Sequence, residues 1–391
     1  MVIRGLAARV VGILALAGSL ASPVLARDSD LESAFDRTFA AIAVPPATIV
    51  GPAPVSRAPV PPAAPSLAPQ SLAAVLPSRS VAVQPPRTAF YTAPAPQRFA
   101  VPDLRAPLRS WSDPLQSAIA AMASPGLGRI GVAAMDLDSG RMVTVLGDQA
   151  FPLASTSKIA IVATFLQGVD NGRFRLTDQF PLMVALPSRK LSSSVAPVRA
   201  GTMLSALSLI ELSITRSDNA ATDALLAAIG GPQAVNRWLA GAGVQGFRID
   251  RDIATLVRDD GLVDPAHAID PRDSTTPAAM VRLLAGLQRG EWLSGQSRAV
   301  LLGAMGRCET GKTRMRGQLP ADAQVAHKTG TLANTASDVG IIRTPDGREL
   351  AVAIYVTGQG GKPARAARIA AITRALYDGY FGQSYGSVSL R

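Results

Sequence analysis

Three short groups of residues have the types and spacing for acyl transfer: Ser155-Thr156-Ser157-Lys158, Ser217-Asp218-Asn219 and Lys328-Thr329-Gly330. A serine hydroxyl attacks a carbonyl carbon only when a neighbouring base takes its proton. Ser155 and Lys158 are three positions apart, so on a helix they lie one above the other on a single face. An amine serves as that base only if burial or a second cation lowers its pKa, and Lys328 is the candidate second cation. If Ser155 opens its helix, its own N–H is free to stabilise a developing oxyanion. Of the five lysines (Lys158, Lys190, Lys312, Lys328 and Lys362), only Lys158 has a serine three positions earlier.

The other two groups are weaker when taken alone. Ser217-Asp218-Asn219 falls between two expected helices. There a second hydroxyl can pass a proton to a leaving nitrogen and Asn219 can bond a substrate amide, although Ser, Asp and Asn are also common helix caps. Lys328-Thr329-Gly330 falls on an expected strand. An ammonium and a hydroxyl there can hold a substrate carboxylate, and Gly330 lets a substrate backbone approach. The Thr331 N–H would be a second oxyanion donor, and an extended substrate could pair with the strand edge. The plain alternative is an exposed strand end. Order, spacing and context agree for all three.

The elements that must position these groups can be read from periodicity and punctuation. Pro114 to Ala123 predicts a first helix, and Arg129–Leu137 with Met142–Leu146 flank the hairpin signature Asp138-Ser139-Gly140. A helical stretch runs from Ser155 to about Gln167. Thr202 is the expected cap of a helix with Met203, Leu207, Ile210 and Ile214 on one face. Ala220–Ile229 is a further helix, ended by Gly230-Gly231 before Pro232 starts the next. Helices fit 277–288 and 295–305; strands return at 324–332, 338–343 and 349–357, and a helix over 362–380 closes the chain. Strands at both ends around a helical middle predict one α+β domain whose terminal segments share an antiparallel sheet.

The three groups form the serine–lysine set of class A β-lactamases and penicillin-binding proteins, and the resemblance to class A β-lactamases extends beyond them. Phe151-Pro152-Leu153-Ala154, Ile229-Gly230-Gly231-Pro232, Thr275-Thr276-Pro277-Ala278-Ala279-Met280, Gly317-Gln318-Leu319-Pro320 and Asp338-Val339-Gly340 are similar to that family, over roughly residues 111 to 382. The resemblance implies an α/β domain plus an all-helical lobe, a site between them, and no metal or organic cofactor. It also implies that Ser155 is the acylated nucleophile, Lys158 a base in acylation and Ser217 a proton shuttle. Asn219, Lys328, Thr329 and Thr331 would grip the substrate, a small β-lactam or a peptidoglycan-like peptide.

One position departs from the family. Its members carry a glutamate in the loop after the Ser-Asp-Asn group, which activates the water that frees the acyl-enzyme. Here Ile253 aligns with that glutamate and Val257 with its companion asparagine, and no glutamate occurs between Glu211 and Glu291. Arg251 and Asp273 match the ion pair that closes the neck of the loop. Isoleucine cannot act as a base, and removing a general base costs about 10²–10⁴-fold. Asp252, Asp259 and Asp260 are the carboxylates that could substitute. Turnover of β-lactams, a cell-wall peptidase or esterase activity, and a penicillin-binding sensor that stays acylated are the three readings left open, the first ranked highest.

The rest of the chain bounds these readings. Its 391 residues are 48% apolar and 17% charged, enough for a real core. The net charge of +11 comes mostly from scattered arginines without a basic stripe, which argues against nucleic acid and fits weak contact with an anionic envelope. Arg4 and Arg9 followed by Val10–Ala21 and Val24-Leu25-Ala26 give residues 1–26 the pattern of a secretory signal, with an uncleaved anchor as the alternative. Residues 27–110 form a Pro/Ala-rich tether, with one amphipathic stretch at 28–43, before the folded domain at 111–391. Cys308 has no partner for an intrachain disulfide, and a single Cys with His267 and His327 argues against a zinc site. Neither Cys308 nor His327 is assigned a role, and the domain is expected to act as a monomer.

Overall fold

The structure, a computed structural model, describes residues 113–382 apart from 125 and 127. The leader-like run, the stretch at 28–43 and the tether lie outside the described residues. Helix α1 (Pro114–Met122) starts on Asp113, whose carboxylate accepts from Leu115 N at 2.8 Å. Strands β1 (Ile130–Asp136) and β2 (Met142–Val145) form the expected hairpin, with Gly140 at φ 73° in the turn. Strands β8 (Gln324–Leu332), β9 (Thr335–Arg343) and β10 (Glu349–Thr357) complete an antiparallel sheet of order β2-β1-β10-β9-β8. The sheet closes by pairing β1 with β10, so the two ends of the domain meet as expected, and β8 is left as an edge.

Both faces of the sheet are covered, and the strands show why. On β10, Leu350, Val352, Ile354 and Val356 pack with Ile119 of α1 and with Ile369, Ile372 and Leu376 of α9 (Lys362–Phe381). The alternate residues Ala351, Ala353 and Tyr355 face the helical lobe, as the period of two in a strand requires. At the centre of that lobe is α2 (Lys158–Asp170), whose Ile159, Ile161, Val162, Phe165 and Leu166 are all fully buried. Around it lie α3 (Ala206–Thr215), α4 (Asn219–Ile229), α5 (Pro232–Gly241), α6 (Ile253–Arg258), α7 (Pro277–Arg289) and α8 (Gly295–Gly306). Gly230 ends α4 in the left-handed conformation at φ 98°. Among the described residues no helix is long and apolar enough to cross a membrane.

Two expectations need correction. Thr202 and Met203 do not open a helix: they lie in β5 (Val198–Ser205), which pairs with β4 (Gln179–Ala185) in a ribbon that the helical spacing concealed. The cap is Ser205, and the buried face of α3 is Ala206, Leu209, Ile210 and Ile214, leaving Met203 53% and Leu207 41% exposed. Ser155 is not in regular α-helix but in a 3-10 turn, Ala154–Ser157, that leads into α2. Short strands β3 (Phe151–Pro152), β6 (Phe247–Arg248) and β7 (Ser274–Thr275) form a small third sheet beneath that turn.

Gly340 of β9 faces His327 of β8, and a Cβ there would come within 2.7 Å of the His327 Cα. Backbone cannot yield as a side chain end can. Gly340→Ala is therefore expected to destabilise the fold by ~1–3 kcal/mol through overpacking, read as a lower urea midpoint at unchanged slope.

Candidate active site

Ser155 is held by the residues around it in the sequence. Thr156 Oγ1 donates to Leu153 O at 2.6 Å and Ser157 Oγ to Ala154 O at 2.9 Å, which locks the turn. Ala154, just before Ser155, has φ 47°, a left-handed conformation that costs energy in a residue with a side chain and recurs at functional sites. Gly330 fixes the turn against β8: a Cβ on it would meet Ser337 Oγ, Leu153 O at 2.9 Å and Ala154 Cβ at 3.1 Å. The absence of a Cβ at 330 thus lets the turn that carries Ser155 sit against the edge strand.

Lys158 and Lys328 are both 0% exposed, and they converge on Ser217. Lys328 Nζ donates to Ser217 Oγ at 2.9 Å, and Lys158 Nζ reaches the same oxygen at 3.4 Å. Lys158 Nζ also donates to Ser217 O and, at 2.8 Å, to Asn219 Oδ1. No hydrogen bond from Lys158 to Ser155 Oγ occurs among the described residues; bonds between catalytic groups often tighten only with substrate in place. Ser217 is itself strained at φ 62°, and Asp218 caps α4 by accepting from Ala221 N at 2.7 Å. The capping role and the site role coexist in adjacent residues.

Burial, and then repulsion from Lys328, push the Lys158 amine well below the usual lysine range against the opposing pull of Asp218 and Asp223. Burial brings Lys328 down to about 8, with Cys308 and Asp338 opposing. Of the two, Lys158 is the amine whose surroundings most favour the neutral form, while Lys328 at about 8 stays a cation near neutral pH. On the edge strand, Thr329 Oγ1 lies 2.6 Å from Thr310 Oγ1. Arg314, which the sequence did not single out among scattered arginines, donates to Gly330 O at 2.9 Å and to Thr331 Oγ1 at 2.6 Å. Lys328 and Arg314 give this edge the positive charge to hold a carboxylate.

The loop expected to hold the second base is anchored to the same helix. Asp223 lies one turn after Asn219 on α4 and accepts from Ile253 N at 2.7 Å and Ala254 N at 2.9 Å. Ile253 is 3% exposed and Val257 49%. The neck pair forms as expected: Arg251 Nε donates to Asp273, and Asp273 O accepts from Leu153 N at 2.9 Å. The three loop carboxylates are engaged. Asp252 caps α6, Asp259 pairs with Arg258, and Asp260 accepts from Ala333 N at 2.8 Å. Among the described residues, no group of three or more His, Cys, Asp or Glu is placed to hold a metal ion.

The family model of the beta-lactamase enzyme family matches residues 114–380. Beta-lactamase CTX-M-8 of Citrobacter amalonaticus is 30% identical over 281 residues, covering 70% of this chain and 92% of the relative. The chain belongs to the class A β-lactamase family. PER-1 of Pseudomonas aeruginosa, an extended-spectrum β-lactamase, is 29% identical over 58% of this chain and 74% of its own length. A β-lactamase structure from Chitinophaga pinensis aligns with a TM-score of 0.60 at 28% identity, over 68% of this chain and all of that one. A variant of the reconstructed class A ancestor of Gram-negative bacteria aligns with a TM-score of 0.59 at 34% identity, over 69% of this chain and 99% of that one.

Asp223 ties the loop to α4 beside this cluster, and periodicity alone could not separate it from an ordinary helix residue. Burial raises its carboxyl to about 7, against the pull of the Ile253 N–H. Because the folded pKa exceeds the unfolded value, stability is full below about 4 and declines as pH rises toward 7. Asp223→Asn is expected to flatten that decline, measured as urea unfolding free energy across pH 4 to 7.5.

Proposed function

We propose that the protein opens β-lactam amide bonds through an acyl-enzyme on Ser155. The observation that carries this reading is the Ser217 hydroxyl bracketed by two buried lysines, Lys328 at 2.9 Å and Lys158 at 3.4 Å. Neutral Lys158 takes the Ser155 proton as Oγ attacks the ring carbonyl. The N–H groups of Ser155 and Thr331 receive the oxyanion. The proton passes from Lys158 through Ser217 to the ring nitrogen as the C–N bond breaks, while Lys328, Thr329 and Arg314 hold the substrate carboxylate. Asn219 accepts from Lys158 and holds the substrate's side-chain amide. The leader pattern of residues 1–26 supports export, so the reaction takes place outside the cytoplasm.

Deacylation is the slow step in this reading. The loop backbone meets α4 beside the site, but Ile253 carries no group that can activate water, and Asp252, Asp259 and Asp260 are held elsewhere. The same observation favours a second reading, in which a long-lived acyl-enzyme makes the protein a penicillin-binding sensor.

Mixing the purified protein with a chromogenic cephalosporin while following its intact mass separates the two. Continuous colour with a transient adduct on Ser155 is expected. One equivalent of colour with a permanent adduct establishes the sensor, and Ser155→Ala abolishes both signals in either case. Absence of both colour and adduct overturns the acyl-transfer reading. In Ile253→Glu, deacylation should accelerate by about 10²-fold or more, the usual range for a restored general base; an unchanged rate in a folded variant removes Ile253 as the cause.

A further inference from the structure

Cys308 and His327 are far apart in the sequence, but the fold brings them together directly behind Lys328 and Thr329. His327 is 0% exposed, and its Nδ1 lies 2.8 Å from Asp338 Oδ1. Its other nitrogen, Nε2, is buried and makes no hydrogen bond of normal geometry among the described residues. The titratable group that acts on this imidazole besides Asp338 is the Cys308 thiol. Carboxylate, imidazole and thiol thus stand in the order that activates sulfur in other proteins. From the sulfur a second line leads to the substrate edge: Cys308 Sγ is 3.2 Å from Thr310 Oγ1, which is 2.6 Å from Thr329 Oγ1.

We propose that Cys308 is a modification site for small sulfur-directed electrophiles, peroxide foremost, and that derivatising it weakens the hold of Thr329 on substrate through Thr310. The substrate half of this proposal rests on the acyl-transfer reading; the modification half does not. The charged groups facing the sulfur are His327 and Lys328 from β8 and Arg314 from the segment before it, with Asp338 of β9 behind His327. Burial opposes ionisation of the thiol, but His327 foremost, with Thr310 and Lys328, outweighs it and brings the thiol to about 7. Burial likewise opposes protonation of His327, yet Asp338 lifts the imidazole to about 9. Between those values the pair is a thiolate beside an imidazolium. At 7% exposure only small reagents reach the sulfur directly.

With peroxide the step is a two-electron transfer. The thiolate attacks one oxygen, the S–O bond forms as the O–O bond breaks, and the departing hydroxide takes the His327 proton to become water. Sulfur is left as a sulfenic acid and peroxide is reduced. The added oxygen occupies the space beside Thr310 and displaces it from Thr329.

The test uses the full chain and methyl methanethiosulfonate, a small reagent whose methylthio group is removed by dithiothreitol. Intact mass should show one adduct, absent in Cys308→Ala, forming with a pH midpoint of about 7 rather than the ~8.5 of a free thiol. His327→Gln should move the midpoint up, and Asp338→Asn, which removes the group that keeps His327 protonated, should do the same if the first variant does not fold. An adduct that forms only on unfolding, or with an ordinary thiol midpoint, overturns the modification site. The adduct should raise KM for the cephalosporin on the order of 3- to 10-fold, the worth of about one hydrogen bond, with a smaller change in kcat and recovery in dithiothreitol. For a protein acylated without turnover, the acylation rate is compared instead. A full adduct with unchanged KM and acylation rate overturns the coupling to Thr329. Peroxide in place of the thiosulfonate should yield a dimedone-reactive product on the same residue; its absence removes peroxide as the reagent.

Discussion

Two lysine amines buried on either side of one serine hydroxyl impose the conditions that the rest of the site has to meet. An ammonium taken fully out of water costs several kcal/mol even after relaxation, and a second one nearby adds repulsion. The structure meets this unequally. Lys328 keeps its charge, with hydrogen bonds to Ser217 Oγ and Thr329 O and the negative groups Cys308 and Asp338 within range. Lys158 is bonded to neutral oxygens of Ser217 and Asn219, and burial with repulsion from Lys328 disfavours its protonated form. The asymmetry favours the neutral form at one amine and the charged form at the other. It depends on Ser217 standing between them at φ 62°, a strain that the cap at Asp218 and the start of α4 hold in place.

The same constraint explains how the elements are arranged. Lys158 comes from the first turn of α2, Lys328 from the edge strand, and Ser217 from the join between α3 and α4, so all three elements must meet at one point. Gly330 allows the strand to press against the turn carrying Ser155, and Gly340 allows β9 to press against the backbone at His327. Small residues at these positions bring backbones together where a Cβ would separate them. The loop meets the site from the fourth side, through Asp223 and through the bond from Leu153 N to Asp273 O.

Much of this was legible in the sequence because several independent signals agreed there. Glycine and proline marked the end of α4 and the start of α5, and strand patterns at both ends foretold a shared sheet. The failures have physical causes. Met203, Leu207, Ile210 and Ile214 fit a helical period, but Met203 belongs to a two-stranded ribbon with little burial of its own, so the pattern carried no core signal. Asp223 and Arg314 act through partners distant in sequence, Ile253 and Thr331, that no local pattern connects. Cys308 and His327 each looked like ordinary buried residues, and only the packing of α8's C-terminal end beside β8 makes them neighbours.

The loop is the part where structure and chemistry diverge. Its neck pair Arg251–Asp273 is intact, Asn236 bonds Ile249 through both N–H and C=O, and Asp223 holds the backbone at Ile253 and Ala254. These anchors fix the loop beside α4 whatever side chain stands at 253, because they act on backbone and on the neck. The isoleucine is then compatible with the fold: it is apolar, it is 3% exposed, and it joins the core cluster of the helical lobe. A glutamate there would need a hydrogen-bond donor to satisfy it, whereas isoleucine needs none. Lys158 and Lys328 make none of their hydrogen bonds to residue 253; they go to Ser217, Asp218, Asn219 and Thr329. The loop and the cluster of buried lysines are therefore held by separate sets of bonds, and the side chain at 253 is free to differ without disturbing either.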